Sequence, residues 1–292
     1  MASTLVAADF YERLDRLALV SRRRLIGFGK GDRRSARRGT SLEFVDYRPY
    51  TSGDDPRQVD WNIYGRSNTL FVKLFEEEEV LTVHLLLDGS RSMDWGSDNK
   101  LLFARRLTAA LGYISLVSAT RLQISRLADN VDRSFGPAWG RRQMAGVLEF
   151  LDEAEGRGET DLDAALRDYT IRAREPGLAI LISDLLTPKF EHGIRRLLDR
   201  RFEVVVLQVL APEEVEPPMS GDLTLVDRES GAEVPITLNQ EAVERYRRRL
   251  AEWTAGLETF CGRHQVIFQR LLSNERLEHV LFDTLRKRGV LR

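Results

Sequence analysis

The chain has 292 residues, 42% of them hydrophobic and 30% charged, with a formal net charge of −1. That composition is globular, with room for one large core or two small ones, and the charge balance argues against the whole molecule being a polyanion binder. A lone cysteine, Cys261, excludes an internal disulfide, fits a reducing compartment and reads as a small buried hydrophobe.

No apolar stretch reaches the roughly 18 residues of a membrane span. The opening MASTLVAADFYERLDRL carries acids early, where a secretory signal would be basic and then apolar, so a cytoplasmic location is expected. Phe10, Leu14, Leu17 and Leu25 fall at helical spacing within residues 9–26. Residues 21–39, SRRRLIGFGKGDRRSARRG, hold seven arginines and one lysine against one aspartate, with four glycines. This predicts an exposed, mobile basic arm over residues 22–38. LEFVDYRPY reads as extended. In DDPRQVDW, Asp55, Pro56 and Gln58 have the order of a capping box, so a short helix starts there. In this stretch Arg57 and Asp60 are expected to pair and Trp61 to pack, which makes it structural rather than a site. TLFVKLFEEEE alternates and ends in a solvated acidic strand end.

From residue 80 strands and helices alternate. VLTVHLLLD, RLQISRL, LAILISD, FEVVVLQVL and HQVIFQRL read as core strands, and VDRSF as a returning edge strand. Helices are expected over residues 99–118, 141–154, 161–173, 189–200 and from 240, with a closing helix at the end. The prediction is an α/β fold: a mostly parallel sheet covered by helices on both faces. Two regions follow, 1–78 with helix, basic arm and packing segment, and 79–292 with the α/β domain, interrupted near 211–239 by a hairpin around Glu229–Gly231.

The chemistry gathers at strand ends. LLLDGSRSM takes a buried run straight into Asp88, Ser90 and Ser92. LISD ends its strand at Asp184, and RGETDL sets Thr160 just before a helix. In open α/β sheets, ligands sit beyond the carboxyl ends of the strands where strand order reverses. If the first excursion winds one way and the rest the other, Asp88 and Asp184 face one crevice. Two carboxylates and three hydroxyls suit a hard divalent cation, Mg2+ above all, which takes oxygen ligands and keeps open positions. The plainer alternatives are an Asx turn at Asp88 and an N-cap at Thr160.

Asp88, Ser90, Ser92, Thr160 and Asp184 resemble the metal-ion-dependent adhesion site of the von Willebrand factor A-like fold, with no substitution in its Asp-x-Ser-x-Ser, Thr, Asp pattern. The resemblance implies direct ligation by Ser90, Ser92 and Thr160, with Asp88 and Asp184 often acting through water. More of the chain is similar to a bacterial family of uncharacterised function that carries such a domain. Gly39, Glu43, Phe44, Arg48, Tyr50, Gly53, Asp54, Arg57, Asp60, Trp61, Arg66 and Lys73 carry that likeness. Members of that family are commonly associated with MoxR-type AAA+ ATPases. The resemblance therefore implies a non-enzymatic adaptor that grips a MoxR-like ATPase or its client through an acidic side chain on a bound Mg2+.

Competing readings are weaker. A magnesium-dependent phosphatase using Asp88 as nucleophile would want a second acid two residues on, where Ser90 stands. Nucleic-acid binding through residues 22–38 lacks aromatic residues for stacking apart from Phe28. The chain has no G-x-x-x-x-G-K-[ST] phosphate loop and no G-x-S-x-G elbow. His84, His192, His264 and His279 stand far apart, and His84 reads as a core residue.

Overall fold

The computed structural model describes residues 8–21, 26–27, 42–78, 80–154, 156, 161–217, 221–227 and 232–292. The chain forms two compact units, Arg23–Val80 and the combination of Met1–Arg22 with Leu81–Arg292. The first helix, α1 (Ala8–Leu14), thus joins the α/β unit and not the arm that follows it. The reason is packing: Phe10 meets Phe282 edge-on at 6.3 Å, and Tyr113 donates its hydroxyl to Asp15 at 2.7 Å. The helix is also shorter than its spacing suggested. After Leu14 the backbone runs beside the chain's end, with Val20 N–H donating to Val290 C=O at 2.9 Å.

In the smaller unit, the two-residue strand β1 (Ile26–Gly27) and β2 (Leu42–Pro49) flank β3 (Phe71–Glu78), both antiparallel to it. The rest of the predicted basic arm lies outside the described residues. Asp55 caps a turn at Pro56–Gln58 by accepting from Arg57 N–H, as its order predicted. Asp60 does not turn to Arg57 but caps α2 (Trp61–Ser67), accepting from Asn62 and Ile63 N–H, while Tyr47 donates to its other oxygen at 3.1 Å. Arg48 forks onto Asp54 with two bonds of 2.6 Å, across a turn in which Gly53 takes a φ of 109°. Trp61 is 61% exposed and meets Tyr64 edge-on at 6.1 Å.

The α/β unit is built on a six-stranded sheet. In chain order its elements are β4 (Thr82–Asp88), α3 (Lys100–Val117), β5 (Arg121–Leu127), β6 (Val131–Ala138), α4 (Met144–Asp152) and α5 (Leu162–Arg172). Then come β7 (Leu178–Ser183), α6 (Phe190–Asp199), β8 (Glu203–Leu210), α7 (Pro212–Val215), the hairpin β9 (Gly221–Val226) and β10 (Glu233–Leu238), α8 (Gln240–Arg263) and β11 (Ile267–Leu272). Helical turns over 277–287 close the chain. The strand order is β11-β8-β7-β4-β5-β6, parallel throughout except for β6 against β5.

The alternation of side chains across the sheet explains the two-faced covering. Val83, Leu85 and Leu87 of β4 join one core with residues of α1, α3, α4 and the closing turns. Leu86 joins the other with Leu166 of α5, Ile194 of α6 and Leu257 of α8. Every residue of β4 and β7 is buried, which is why both read as continuous apolar runs. Cys261 lies in the second core, its thiol pushed up to about 12 by burial, so it packs and does not react. His84 is also a core residue, its Nδ1 2.6 Å from the Tyr169 hydroxyl.

Candidate metal centre

β4 lies between β5 and β7 in the middle of the sheet, so the chain reverses its winding direction at its tip. Asp88 ends β4, and Asp184 directly follows β7, so the two predicted carboxylates emerge from neighbouring parallel strands. Both are buried, Asp88 fully and Asp184 at 2% exposure, and Ser90 is fully buried as well. The two strand tips therefore form a recessed cradle.

The turn after Asp88 is shaped by its own hydrogen bonds. Ser90 N–H donates to Asp88 Oδ1 at 3.0 Å, the Asx turn that is the plainer alternative for this residue order. One turn of 3-10 helix, Arg91–Met93, then brings Ser92 back beside Ser90, their hydroxyl oxygens 2.9 Å apart. Gly89 is required here. A Cβ at this position would stand 2.7 Å from Cγ and Cδ of Arg126, whose guanidinium is held by Glu153 C=O at 3.1 Å and by Asp132. Asn99 caps α3 and also donates to Asp94 Oδ1 at 2.7 Å, which ties the far end of the loop to that helix.

From the β7 side, Ser183 donates to Asp88 Oδ2 at 2.6 Å and accepts from Leu185 N–H at 3.0 Å. Leu185 takes a φ of 53°, a costly conformation for a non-glycine residue. Trp253 of α8 donates to Leu185 C=O at 2.9 Å, and Gln208 to Asp184 C=O at 2.9 Å, so the bend is fastened from both sides. Asp184 Oδ1 accepts from Leu186 N–H at 3.2 Å.

Thr160 lies outside the described residues. Gly156 borders the site: a Cβ there would stand 3.2 Å from Ser90 C=O and 2.5 Å from Asp94 Cβ. The cap of α5 is Asp161, which accepts from Ala164 N–H at 2.9 Å.

One basic group reaches this region that the sequence did not single out. Lys100 opens α3, is fully buried, and sets its ammonium 2.8 Å from Asp184 Oδ2 and 2.6 Å from Glu214 Oε1. Burial alone would pull its pKa down, but the two carboxylates outweigh that and raise it, so Lys100 is a fixed cation. Glu214 is raised by burial, against the pull of Lys100. Asp88 is pushed up to about 6, first by burial and then by the charge of Asp184, against hydrogen bonds from Ser183 and Ser90.

These residues fit a small divalent cation. Among the described residues no three His, Cys, Asp or Glu side chains gather as a metal-holding group, so any such site here depends on hydroxyls. Ligands at roughly 2.0–2.1 Å on neighbouring corners of an octahedron stand about 2.9 Å apart. The Ser90 and Ser92 oxygens are separated by 2.9 Å. The mutual repulsion of Asp88 and Asp184 marks an excess of negative charge that a dication would offset. Ser183, Lys100 and Glu214 support the site but do not belong to the predicted set. Ser183 could have been noticed from its place beside Asp184 in LISD. A lysine that enters a core and a glutamate in a proline-led turn carry no such local signal.

The reversal of strand order at β4 and the single antiparallel edge make this an open, mostly parallel α/β domain with its acid-bearing turns at the carboxyl ends of the strands, the architecture expected from the sequence. The family described as "Protein of unknown function DUF58" matches residues 46–256, and the chain belongs to it. The uncharacterized proteins Mb1516 of Mycobacterium bovis and Rv1480 of Mycobacterium tuberculosis are each 30% identical over 221 residues, covering 74% of this chain and 69% of theirs. Among solved structures, BatB from Bacteroides thetaiotaomicron is similar with a TM-score of 0.43 and 14% identity, over 72% of this chain and 98% of that one. An aerotolerance-related membrane protein from Bacteroides fragilis gives 0.41 and 16% over the same shares. Among the described residues of this chain, no helix is long and apolar enough to cross a membrane.

Proposed function

We propose that this protein is a metal-dependent protein-interaction module. The observation that carries the reading is the meeting of Asp88 and Asp184 at adjacent strand tips, with Ser90 and Ser92 hydroxyls 2.9 Å apart beside them. Ser90, Ser92 and Thr160 would hold the ion directly. Asp88 and Asp184 would hold it through water, since both are recessed and already engaged by Ser183, Ser90 and Lys100. A bound Mg2+ would supply an open, electrophilic position, and a partner's Asp or Glu would fill it. Leu186, 41% exposed two residues beyond Asp184, offers an apolar rim against which a partner can seat. A micromolar contact needs about −8 kcal/mol in total, which one oriented carboxylate–metal bond with surrounding surface can supply.

The proposed partner is a MoxR-like AAA+ ATPase or the client it remodels, on the strength of the family resemblance. A phosphatase reading is less well supported. Asp88 is fully buried with both oxygens engaged, a poor posture for an attacking nucleophile, and the position two residues on is Ser90. The test is binding of purified protein to the cognate ATPase with Mg2+, in EDTA, and with Ser90→Ala/Ser92→Ala. Loss in both of the latter, with the fold kept, supports the module. Equal binding in all three refutes it, and Mg2+-dependent phosphate release that disappears in Asp88→Asn moves the assignment to the phosphatase.

A further inference from the structure

Lys100 and Glu214 form a buried pair that no part of the predicted metal pattern contains. The ammonium bridges Asp184 Oδ2 at 2.8 Å and Glu214 Oε1 at 2.6 Å. Glu214 is held in that posture independently: its other oxygen accepts from Ala211 N–H at 2.8 Å, at the start of α7. Its carbonyl accepts the Tyr246 hydroxyl at 2.6 Å, which links α7 to the first half of α8.

The charge count gives these contacts a consequence. Lys100 with Asp184 alone would be a closed ion pair, leaving Asp88 as the only carboxylate of the site free to attract a cation. Glu214 shares the ammonium, so that Lys100 is balanced from outside the site and Asp184 keeps its pull on a dication. We propose that Glu214 is a charge-setting residue for the metal centre. By sharing Lys100 it leaves Asp184 more of its negative charge for a divalent ion, and it makes metal affinity depend on the segment that carries α7, the β9–β10 hairpin and the start of α8. The dependence is reciprocal, because any coupling of two equilibria is. Whatever moves that segment changes the metal affinity, and metal binding changes how firmly the segment is held. This rests on Asp88, Ser90, Ser92 and Asp184 being a divalent site.

The experiment is Mn2+ titration by calorimetry of the full chain in four forms: wild type, Asp88→Asn, Glu214→Gln, and Lys100→Met/Glu214→Gln. Circular dichroism checks the fold of each. The wild type should bind, and Asp88→Asn should not. Glu214→Gln should bind at least tenfold more weakly than wild type, because Lys100 then closes on Asp184. The double variant, which buries neither charge of the pair, should recover wild-type affinity or exceed it. Binding by Glu214→Gln equal to wild type, or a double variant more than tenfold weaker than wild type, overturns the role of the pair and leaves the site itself standing. If Glu214→Gln fails to fold, the comparison of the double variant with wild type decides. Absence of Mn2+ binding by the wild type overturns the site, and the inference falls with it. As a second readout, Mn2+ should alter amide exchange at residues 211–217 in the wild type and leave the double variant unchanged there; equal response in both counts against the coupling.

Discussion

The Ser183 hydroxyl lies 2.6 Å from Asp88 Oδ2 and joins the tips of two neighbouring parallel strands. It is a charge-assisted bond inside the protein, and it sets the plane of the Asp88 carboxylate while Ser90 N–H holds the other oxygen. Ser183→Ala is expected to weaken Mg2+ binding several-fold with the secondary structure kept. It should also cost about 1–3 kcal/mol of metal-free stability, read from urea unfolding, because a buried acceptor loses its donor. Wild-type values for both would mean that Asp88 is oriented by its own turn alone.

Gly89 should be intolerant of even one added carbon. A methyl there meets the Arg126 stem at 2.7 Å, and Arg126 cannot swing aside without releasing Glu153 C=O and Asp132. Gly89→Ala is expected to cost about 1–3 kcal/mol, the usual range for overpacking, and to lower metal affinity by displacing Ser90. Arg126→Ala in the same chain should relieve part of the loss. If the two substitutions add without relief, the Arg126 stem is not what restricts residue 89.

The core histidine predicts an acid limit on stability. Burial holds His84 down to about 4, against the usual value near 6.5. The unfolded chain therefore binds a proton between those values that the folded chain refuses. The stability contributed by neutral His84 is complete above about pH 6.5 and is lost as pH falls toward 4. The full loss is about 3 kcal/mol. Chemical denaturation at intervals from pH 7 to pH 4 should show this decline, and His84→Gln should flatten it. A slope that survives the substitution would assign the acid sensitivity elsewhere.

Much of this arrangement is legible in the sequence because it follows from local pattern. Continuous apolar runs such as VHLLL and LAILIS announce doubly covered strands, and the breaks after Asp88 and Asp184 mark the carboxyl edge of the sheet. Asp55 and Pro56 announce their turn in the same way. What escaped depends on partners brought from afar. Lys100 lies 84 residues from Asp184 and 114 from Glu214, and only the fold makes burying an ammonium tolerable. The helical spacing through Leu14 and Leu17 breaks down because residues 18–20 find backbone partners at the chain's end instead. Asp60 caps the open N–H groups of α2 in place of the expected pairing with Arg57, a role its position just before that helix allows.

The central claim is that acids and hydroxyls at the β4 and β7 tips hold a divalent ion. The most direct measurement is calorimetric titration of Mg2+ into wild type, Asp88→Asn and Ser90→Ala/Ser92→Ala, with folding checked for each. The account predicts single-site binding by the wild type and no detectable binding by either variant. Equal Mg2+ affinity in all three, or none in the folded wild type, would contradict it.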